Sequence, residues 1–152
     1  MAAPGLDVSI VIAAPAGRVL RAFFDPHALH AWWQVANAVT SPRTLGPYAI
    51  EWPTTEFKDD MLGRLGGVLR GTVIHFQADA GFVVSDVFWL PPDGEPIGPM
   101  ALEVTCTPAG SGTNVRVTQK GFEESDRWRR YYELISNGWQ RALGSLKALL
   151  EK

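Results

Sequence analysis

The sequence predicts an α+β fold, in which a curved antiparallel sheet is covered by one long C-terminal helix. The middle of the chain alternates apolar and polar residues in short runs between turn formers, which is typical of strands joined by hairpins. From residue 124 to residue 150, large apolar residues instead recur every three or four positions. They define one face of a helix of about 40 Å, and such a face needs a sheet to cover.

Composition limits the classes of protein that the chain can belong to. Its 152 residues, without a repeat or a linker, predict a single domain over residues 1–152. With 46% hydrophobic and 20% charged residues, wholesale disorder is excluded. A net charge of −2 argues against a nucleic-acid partner. No apolar run approaches the roughly 18 residues of a membrane span, and the single Cys106 suits a reducing compartment, so we expect a cytoplasmic protein.

The elements are predicted in a definite order. A first strand covers residues 6–12, a short helix covers residues 17–24, and Asp25-Pro26 caps a second short helix that runs through Trp33. The later strands are predicted at residues 43–52, 68–77, 82–90, 100–107 and 114–119. Residues 53–67 are predicted as a loop with one helical turn around residues 57–62.

Metal and cofactor chemistry have little support in the sequence. His27 and His30 are spaced three residues apart, but no third ligand type lies near them. No phosphate-binding glycine fingerprint is found. We therefore predict no metal site and no cofactor.

Several stretches of the chain together form a recognisable pattern. They are residues 8–15 (VSIVIAAP), Asp25-Pro26, Trp32-Trp33, Gly71-Thr72-Val73, residues 113–117 (TNVRV), Gly121-Phe122, Trp128 and Gly138-Trp139. In this order they resemble the helix-grip fold of the START/Bet v-like (SRPBCC) superfamily. The pattern is most similar to the branch named after the activator of heat-shock protein 90 ATPase homologue.

The resemblance implies a space between the sheet and the final helix, and it leaves three functions open. The first is the binding of a small hydrophobic or aromatic molecule in that space. The second is an enzyme similar to the superfamily's polyketide cyclases and aromatases. The third is a co-chaperone-like domain that binds a protein partner, as the name of the branch suggests. Members of one fold differ in activity, so whether the chain is an enzyme stays open.

The aromatic content favours a cavity with ring-lined walls. The chain has six Trp, seven Phe and three Tyr, and the Trp residues fall on the second helix, on strands and on the final helix. Their rings form apolar walls, and their indole and phenol groups offer polar handles. The alternative for each ring is simple core filling. The aromatic candidates for ligand contact are Trp33, Tyr48, Trp52, Phe88, Trp128, Tyr132 and Trp139.

Three polar residues are the other candidates. Asp86 has the same strand parity as Phe82 and Phe88, so an inward face would place its carboxylate in an apolar cavity as a general acid or base. The opposite register places it in solvent. Hairpin pairing around residues 78–81 brings His75 close to Asp86, either as a catalytic dyad or as an exposed cross-strand pair. Gln119 stands where the resembling branch often has a polar residue, and we predict that it contacts the ligand.

Overall fold

The predicted helices and strands appear in the predicted order, together with three short strands that were not predicted. The structure, a computed structural model, describes residues 3–152. Its elements are β1 (Leu6–Ile12), α1 (Ala16–Ala22), α2 (Pro26–Trp33), β2 (Asn37–Thr40), β3 (Pro47–Trp52), β4 (Lys58–Asp59), β5 (Gly63–Arg64), β6 (Gly67–Gln77), β7 (Gly81–Leu90), β8 (Ile97–Ala109), β9 (Gly112–Lys120) and α3 (Asp126–Leu150).

One antiparallel sheet contains seven of the nine strands, in the order β1-β9-β8-β7-β6-β3-β2. The long strands β6 to β9 lie side by side in the centre, because each is joined to the next by a tight connection. Along β9, buried Val115 and Val117 alternate with Asn114, Arg116 and Thr118, so one face of the sheet points to the core. The predicted helix-grip arrangement of a sheet with a long final helix and two early short helices is confirmed.

The helix α2 places two tryptophans beside the sheet. Its N-terminus is capped by the Asp25 carboxylate, which accepts the N–H of His27 at 3.2 Å, and Pro26 occupies the first helical position. It ends at Gln34, whose backbone is left-handed with a φ of 59°. Trp32 and Trp33 therefore lie in the last turn of a helix whose two ends are defined by local sequence.

A bulge in β7 changes which of its side chains point to the core. The pairing of β7 with both neighbouring strands is irregular around Ser85 and Asp86, and Asp86 has a left-handed backbone with a φ of 52°. Val84 before the bulge and Val87 after it are both buried. A bulge adds one residue to a strand, so the inward parity changes from even-numbered to odd-numbered positions.

The helix α3 is fixed to the sheet at its C-terminal end. Leu143, Leu146 and Leu150 are buried there. The Arg18 guanidinium donates to the carbonyl of Leu150 at 2.8 Å, and the Lys147 ammonium donates to the carbonyl of Val11 at 2.9 Å. These bonds tie the last turns of α3 to α1 and to the edge strand β1.

The β4–β5 hairpin is attached to the other half of α3. Asp59 is 5% exposed, and its Oδ1 accepts from the Nε of Arg130 at 2.7 Å. Its Oδ2 accepts the N–H groups of Met61 and Leu62, each at 3.0 Å. These bonds form a turn where a helical turn was predicted, and the left-handed Gly63 (φ 79°) continues it into β5. The helical turn predicted around residues 57–62 is therefore wrong.

The charge of Asp59 contributes to stability in a pH-dependent way. Burial alone would raise the pKa of Asp59, but hydrogen bonds from Arg130 and from the backbone of Leu62 and Met61 outweigh it and lower this pKa below 3.8. A carboxyl whose pKa is lowered by folding stabilises the protein above its unfolded pKa. That contribution is lost as the pH falls through the folded value.

We predict that Asp59→Asn lowers the free energy of unfolding by about 1–3 kcal/mol at pH 7, because the charge-assisted bond to Arg130 is weakened. The difference from the wild type should shrink as the pH falls below 3.8. Urea denaturation at a series of pH values measures both effects. The exposed neighbour provides the control, and Asp60→Asn should leave stability nearly unchanged. Equal losses in the two variants would contradict a specific role for Asp59.

Candidate functional site

A cavity of about 620 Å³ lies between α3 and the sheet and is partly open to solvent. Side chains of α2, β3, β6, β7, β9 and α3 line it, together with residues of the segment that carries the β4–β5 hairpin. Five of the six tryptophans belong to this lining: Trp32, Trp33, Trp52, Trp89 and Trp139.

One wall of the cavity is a cluster of four indole rings around Trp33. The Trp33 ring stacks on Trp32 with centroids 5.0 Å apart and an interplanar angle of 6°. It meets Trp52 edge-on at 5.0 Å and lies 4.7 Å from the Trp139 ring. The cluster joins α2, β3 and α3, because each element contributes at least one ring to it. Such ring pairs add stability beyond their buried area, so the wall is also structural.

A second part of the lining combines Trp89 from β7 with Tyr131 from α3. Their rings are stacked, with centroids 5.6 Å apart and an interplanar angle of 29°. Trp89 faces the cavity because it follows the bulge, where odd-numbered residues of β7 point inward. Leu69, from the neighbouring strand β6, also lines this region.

Three of the cavity indoles have no N–H group to offer a ligand. Trp32 donates its N–H to the carbonyl of Ala22 at 2.8 Å, Trp52 donates to Trp33 at 3.0 Å, and Trp89 donates to Gly66 at 2.8 Å. Because an indole carries a single donor, these rings present only carbon surfaces. The expectation that the indoles serve as polar handles is therefore wrong for Trp32, Trp52 and Trp89.

The polar part of the lining is centred on Gln119 and Tyr131. Gln119 is 1% exposed, and its Nε2 donates to the Tyr131 hydroxyl oxygen at 2.8 Å and to the Met100 sulfur at 3.1 Å. Burial raises the pKa of Tyr131, and the bond from Gln119 only partly offsets this shift. The phenol therefore keeps its proton at neutral pH and remains a donor.

One charged side chain occurs in the lining among residues 3–152, and it is Arg141. It is exposed, on α3, ten positions beyond Tyr131. At 1.5 Å per residue this separation is about 15 Å along the helix axis. The backbone of Arg141 is therefore about three helical turns away from that of Tyr131, at a different level of the cavity.

The structure brings together four of the ten predicted site residues, Trp33, Trp52, Gln119 and Trp139, and places the other six outside the lining. Tyr48 is buried in the core, where its hydroxyl donates to the carbonyl of Phe23 at 2.9 Å. Trp128 and Tyr132 are buried near the start of α3. The Tyr132 hydroxyl donates to the carbonyl of Gly121 at 2.6 Å.

His75 and Asp86 do not form a pair. His75 is exposed and lies opposite Val83, while Ser85 pairs with Thr72. Asp86 is exposed as well, since the bulge turns it away from the core. The option of an inward-facing Asp86 is therefore wrong, and so is a catalytic dyad of His75 and Asp86 inside the cavity.

Phe88 also lies outside the cavity because of the bulge. Counting from Phe82 by strand parity predicts an inward ring, but the extra residue moves Phe88 to the other face of β7. There it lies beside Arg70, whose guanidinium carbon is 6.0 Å from the ring centroid. The alternation of apolar and polar residues does not reveal a bulge, so the sequence did not indicate this change of face.

Tyr131 is a polar residue of the cavity lining that the sequence analysis missed. It lies three residues after Trp128 and four before Ile135, so it fits a helical apolar face as well as Tyr132 does. The choice between the two tyrosines depends on the rotation of α3 about its axis. Tertiary packing sets that rotation, and it turns Tyr131 toward the cavity.

Other kinds of site have little support in the described residues. Among residues 3–152, no group of three or more His, Cys, Asp or Glu side chains is arranged to hold a metal ion. Burial raises the pKa of the Cys106 thiol to about 11, so its reactive thiolate form is disfavoured. No helix within the described part of the chain has the length and apolarity needed to cross a membrane.

Comparisons with known proteins agree with this architecture. The family model described as Activator of Hsp90 ATPase homolog 1-like protein matches residues 13–151. A crystal structure of a Mesorhizobium loti protein is similar, with 23% identity, a TM-score of 0.72 and coverage of 96% of both chains. A Rhodobacter sphaeroides protein has 18% identity and a TM-score of 0.75, with 98% of this chain and 93% of that chain covered.

A third similar structure is a solution structure of the Aha1 dimer from Colwellia psychrerythraea. It has 18% identity and a TM-score of 0.65, with 97% of this chain and 96% of that chain covered. No curated protein matches the sequence. At these identities the solved structures show a shared fold only.

The left-handed backbone at Asp86 yields a test of the bulge. We predict that Asp86→Gly maintains or raises the melting temperature, because glycine adopts a positive φ without strain. Asp86→Val should cost about 1–3 kcal/mol, because a β-branched residue is strained in this conformation. Thermal unfolding of both variants measures the difference. An inward-facing Asp86 would give the opposite order, with valine stabilising the apolar interior.

Proposed function

The chain belongs to the family of Activator of Hsp90 ATPase homolog 1-like proteins, and from this premise we propose that it binds a small apolar or aromatic molecule in the cavity between α3 and the sheet. The observation that carries the proposal is a space of about 620 Å³ lined by five tryptophans. Ligand pockets in proteins are typically concave, mostly apolar and about 300–1,000 Å³ in volume.

The shape of the lining supports a flat apolar ligand. The four-ring cluster around Trp33 forms one part of the lining, and the stacked rings of Trp89 and Tyr131 form another. A flat ligand that lies against either part buries a face against carbon surfaces, which contributes roughly 25 cal/mol for each Å² removed from water. Within each group the rings already pack against one another, so their side chains lose little conformational freedom when a ligand enters.

The chemistry of the lining favours binding over acid–base catalysis. Its titratable side chains, among the described residues, are Tyr131 and Arg141. Efficient proton transfer needs a group that changes its protonation state near neutral pH. Burial raises the pKa of Tyr131 still further from neutrality, and a guanidinium has no acceptor atom to take up a proton. A cyclase-like reaction driven by a side-chain acid or base therefore has weaker support than binding.

A surface for a protein partner also has weaker support than the cavity. Such a surface needs a contiguous apolar patch of several hundred Å². The large apolar side chains that are exposed in residues 3–152 lie on β1, β2 and β6, in the loop before β3 and around the β4–β5 hairpin. These elements include both edges of the sheet, β1 and β2.

Two glycines of α3 provide a matched test of ligand binding. Gly138 lines the cavity, Gly144 does not, and a Cβ atom added at either position meets no other atom within 4 Å. We predict that Gly138→Phe places a ring in the cavity and weakens binding of 2-methylnaphthalene by more than about tenfold. Gly144→Phe should bind like the wild type. Isothermal titration calorimetry measures both affinities.

The two variants Gly138→Phe and Gly144→Phe also allow a control for folding. Phenylalanine has a higher helix propensity than glycine, so both variants should remain folded, which circular dichroism checks. Native mass spectrometry of freshly purified protein should show retained small-molecule mass in the wild type and in Gly144→Phe but not in Gly138→Phe. If the wild type does not bind the probe, or if Gly138→Phe binds it equally well, the proposal is wrong.

A further inference from the structure

We infer that the ligand of this cavity is an uncharged molecule with an apolar body and a hydroxyl group, and that Gln119 and Tyr131 together bind the hydroxyl. The inference rests on the proposed function and adds the chemical class of the ligand. It is carried by the hydrogen-bonding capacity that these two buried side chains leave unused on the cavity side.

The orientation of the Gln119 amide is set by its neighbours. Its Nε2 lies 2.8 Å from the Tyr131 hydroxyl oxygen and 3.1 Å from the Met100 sulfur. A thioether sulfur accepts a hydrogen bond but cannot donate one, so the amide nitrogen and not the amide oxygen must face Met100. Both hydrogens of the Nε2 group are therefore occupied by protein acceptors.

The Gln119 amide oxygen is the first unused group. It receives no hydrogen bond from any residue in the range 3–152, although Gln119 is only 1% exposed. Every fully buried side-chain nitrogen or oxygen in that same range has a hydrogen-bond partner. The Gln119 oxygen is therefore not fully enclosed by protein, and since Gln119 lines the cavity, this acceptor borders it.

The Tyr131 hydroxyl hydrogen is the second unused group. The Tyr131 oxygen accepts the bond from Gln119, so its own hydrogen stays available, and no acceptor within residues 3–152 takes it. Tyr131 is 4% exposed and lines the cavity beside Gln119. The two residues thus present one acceptor and one donor to the same space.

A hydroxyl group satisfies both of these atoms. Its hydrogen can be donated to the Gln119 oxygen while its own oxygen accepts from Tyr131. A carbonyl or ether can satisfy Tyr131 alone, and a hydrocarbon that displaces solvent from this point leaves both groups unpaired. Leaving a buried polar group without a partner is costly, so a site with such groups discriminates strongly between these ligands.

The surroundings of the pair argue against a charged ligand group at this point. A carboxylate would face the electronegative Gln119 oxygen, and within the pair only Tyr131 could donate to it. The cationic residue of the lining, Arg141, has its backbone about 15 Å farther along the axis of α3. Leu69, Leu134 and Ile135 line the same cavity and provide an apolar environment for the rest of the ligand.

Three naphthalenes of similar size test the inference at neutral pH. They are 2-naphthol, which donates and accepts, 2-methoxynaphthalene, which only accepts, and 2-methylnaphthalene, which does neither. Isothermal titration calorimetry with the full chain should show the order naphthol, methoxynaphthalene, methylnaphthalene, with about a tenfold or larger difference between the first and the last. Equal affinities for the three compounds would overturn the inference.

Variants assign the preference to the two residues. Tyr131→Phe and Gln119→Met remove the polar atoms and keep the side-chain volumes similar, so each should lower the preference for 2-naphthol by about fivefold or more while 2-methylnaphthalene still binds. Tyr132→Phe is the control, because its hydroxyl is bonded to Gly121 outside the cavity, and it should keep the wild-type preference. Retention of the preference in both Tyr131→Phe and Gln119→Met would overturn the inference.

The same experiment separates two kinds of failure. If 2-methylnaphthalene binds to the wild type without any preference for 2-naphthol, the cavity binds ligands and only the hydroxyl assignment is wrong. If none of the three compounds binds, the proposed function fails and the inference fails with it.

Discussion

The attachment of α3 at both of its ends is the constraint on which the rest of the structure depends. At the C-terminal end, Arg18 and Lys147 tie the helix to α1 and β1. In the N-terminal half, Arg130 ties it to the β4–β5 hairpin through Asp59. Between these attachments the helix passes over the central strands, and the cavity separates the two. The cavity follows from this geometry, because the side chains that project from the middle of α3 do not fill the space below it.

The aromatic residues have two roles that the structure separates. Most of the indole rings that line the cavity use their N–H groups on backbone carbonyls, so they hold loops and strands together while presenting carbon surfaces to the interior. On the proposed function, Gln119 and Tyr131 are the buried polar pair of the lining that would select among ligands. Apolar walls discriminate weakly between ligands of similar size, whereas an unpaired buried donor or acceptor costs about 1–3 kcal/mol. A single polar pair therefore has more influence on ligand choice than another ring.

Much of the fold could be predicted from the sequence because its signals are local. The capped start of α2, the alternation in β7 and β9 and the apolar face of α3 each depend on residues close together in the chain. The segment 53–67 was poorly predicted for the opposite reason. Its turn is organised by Asp59, and the partner of Asp59 is Arg130, 71 residues away. Strand β2 was missed as well, since Asn37–Thr40 is too short for alternation to be informative.

The sequence by itself determined the order of the elements, the family and the supply of tryptophans that form the cavity walls. The tertiary structure decided which polar residues reach the cavity. A single extra residue in β7 turns Asp86 and Phe88 away and brings Trp89 inward, and alternation cannot reveal such a bulge. Likewise, the rotation of α3 selects Tyr131 over Tyr132, because both tyrosines fit the helical period and only packing against the sheet distinguishes them.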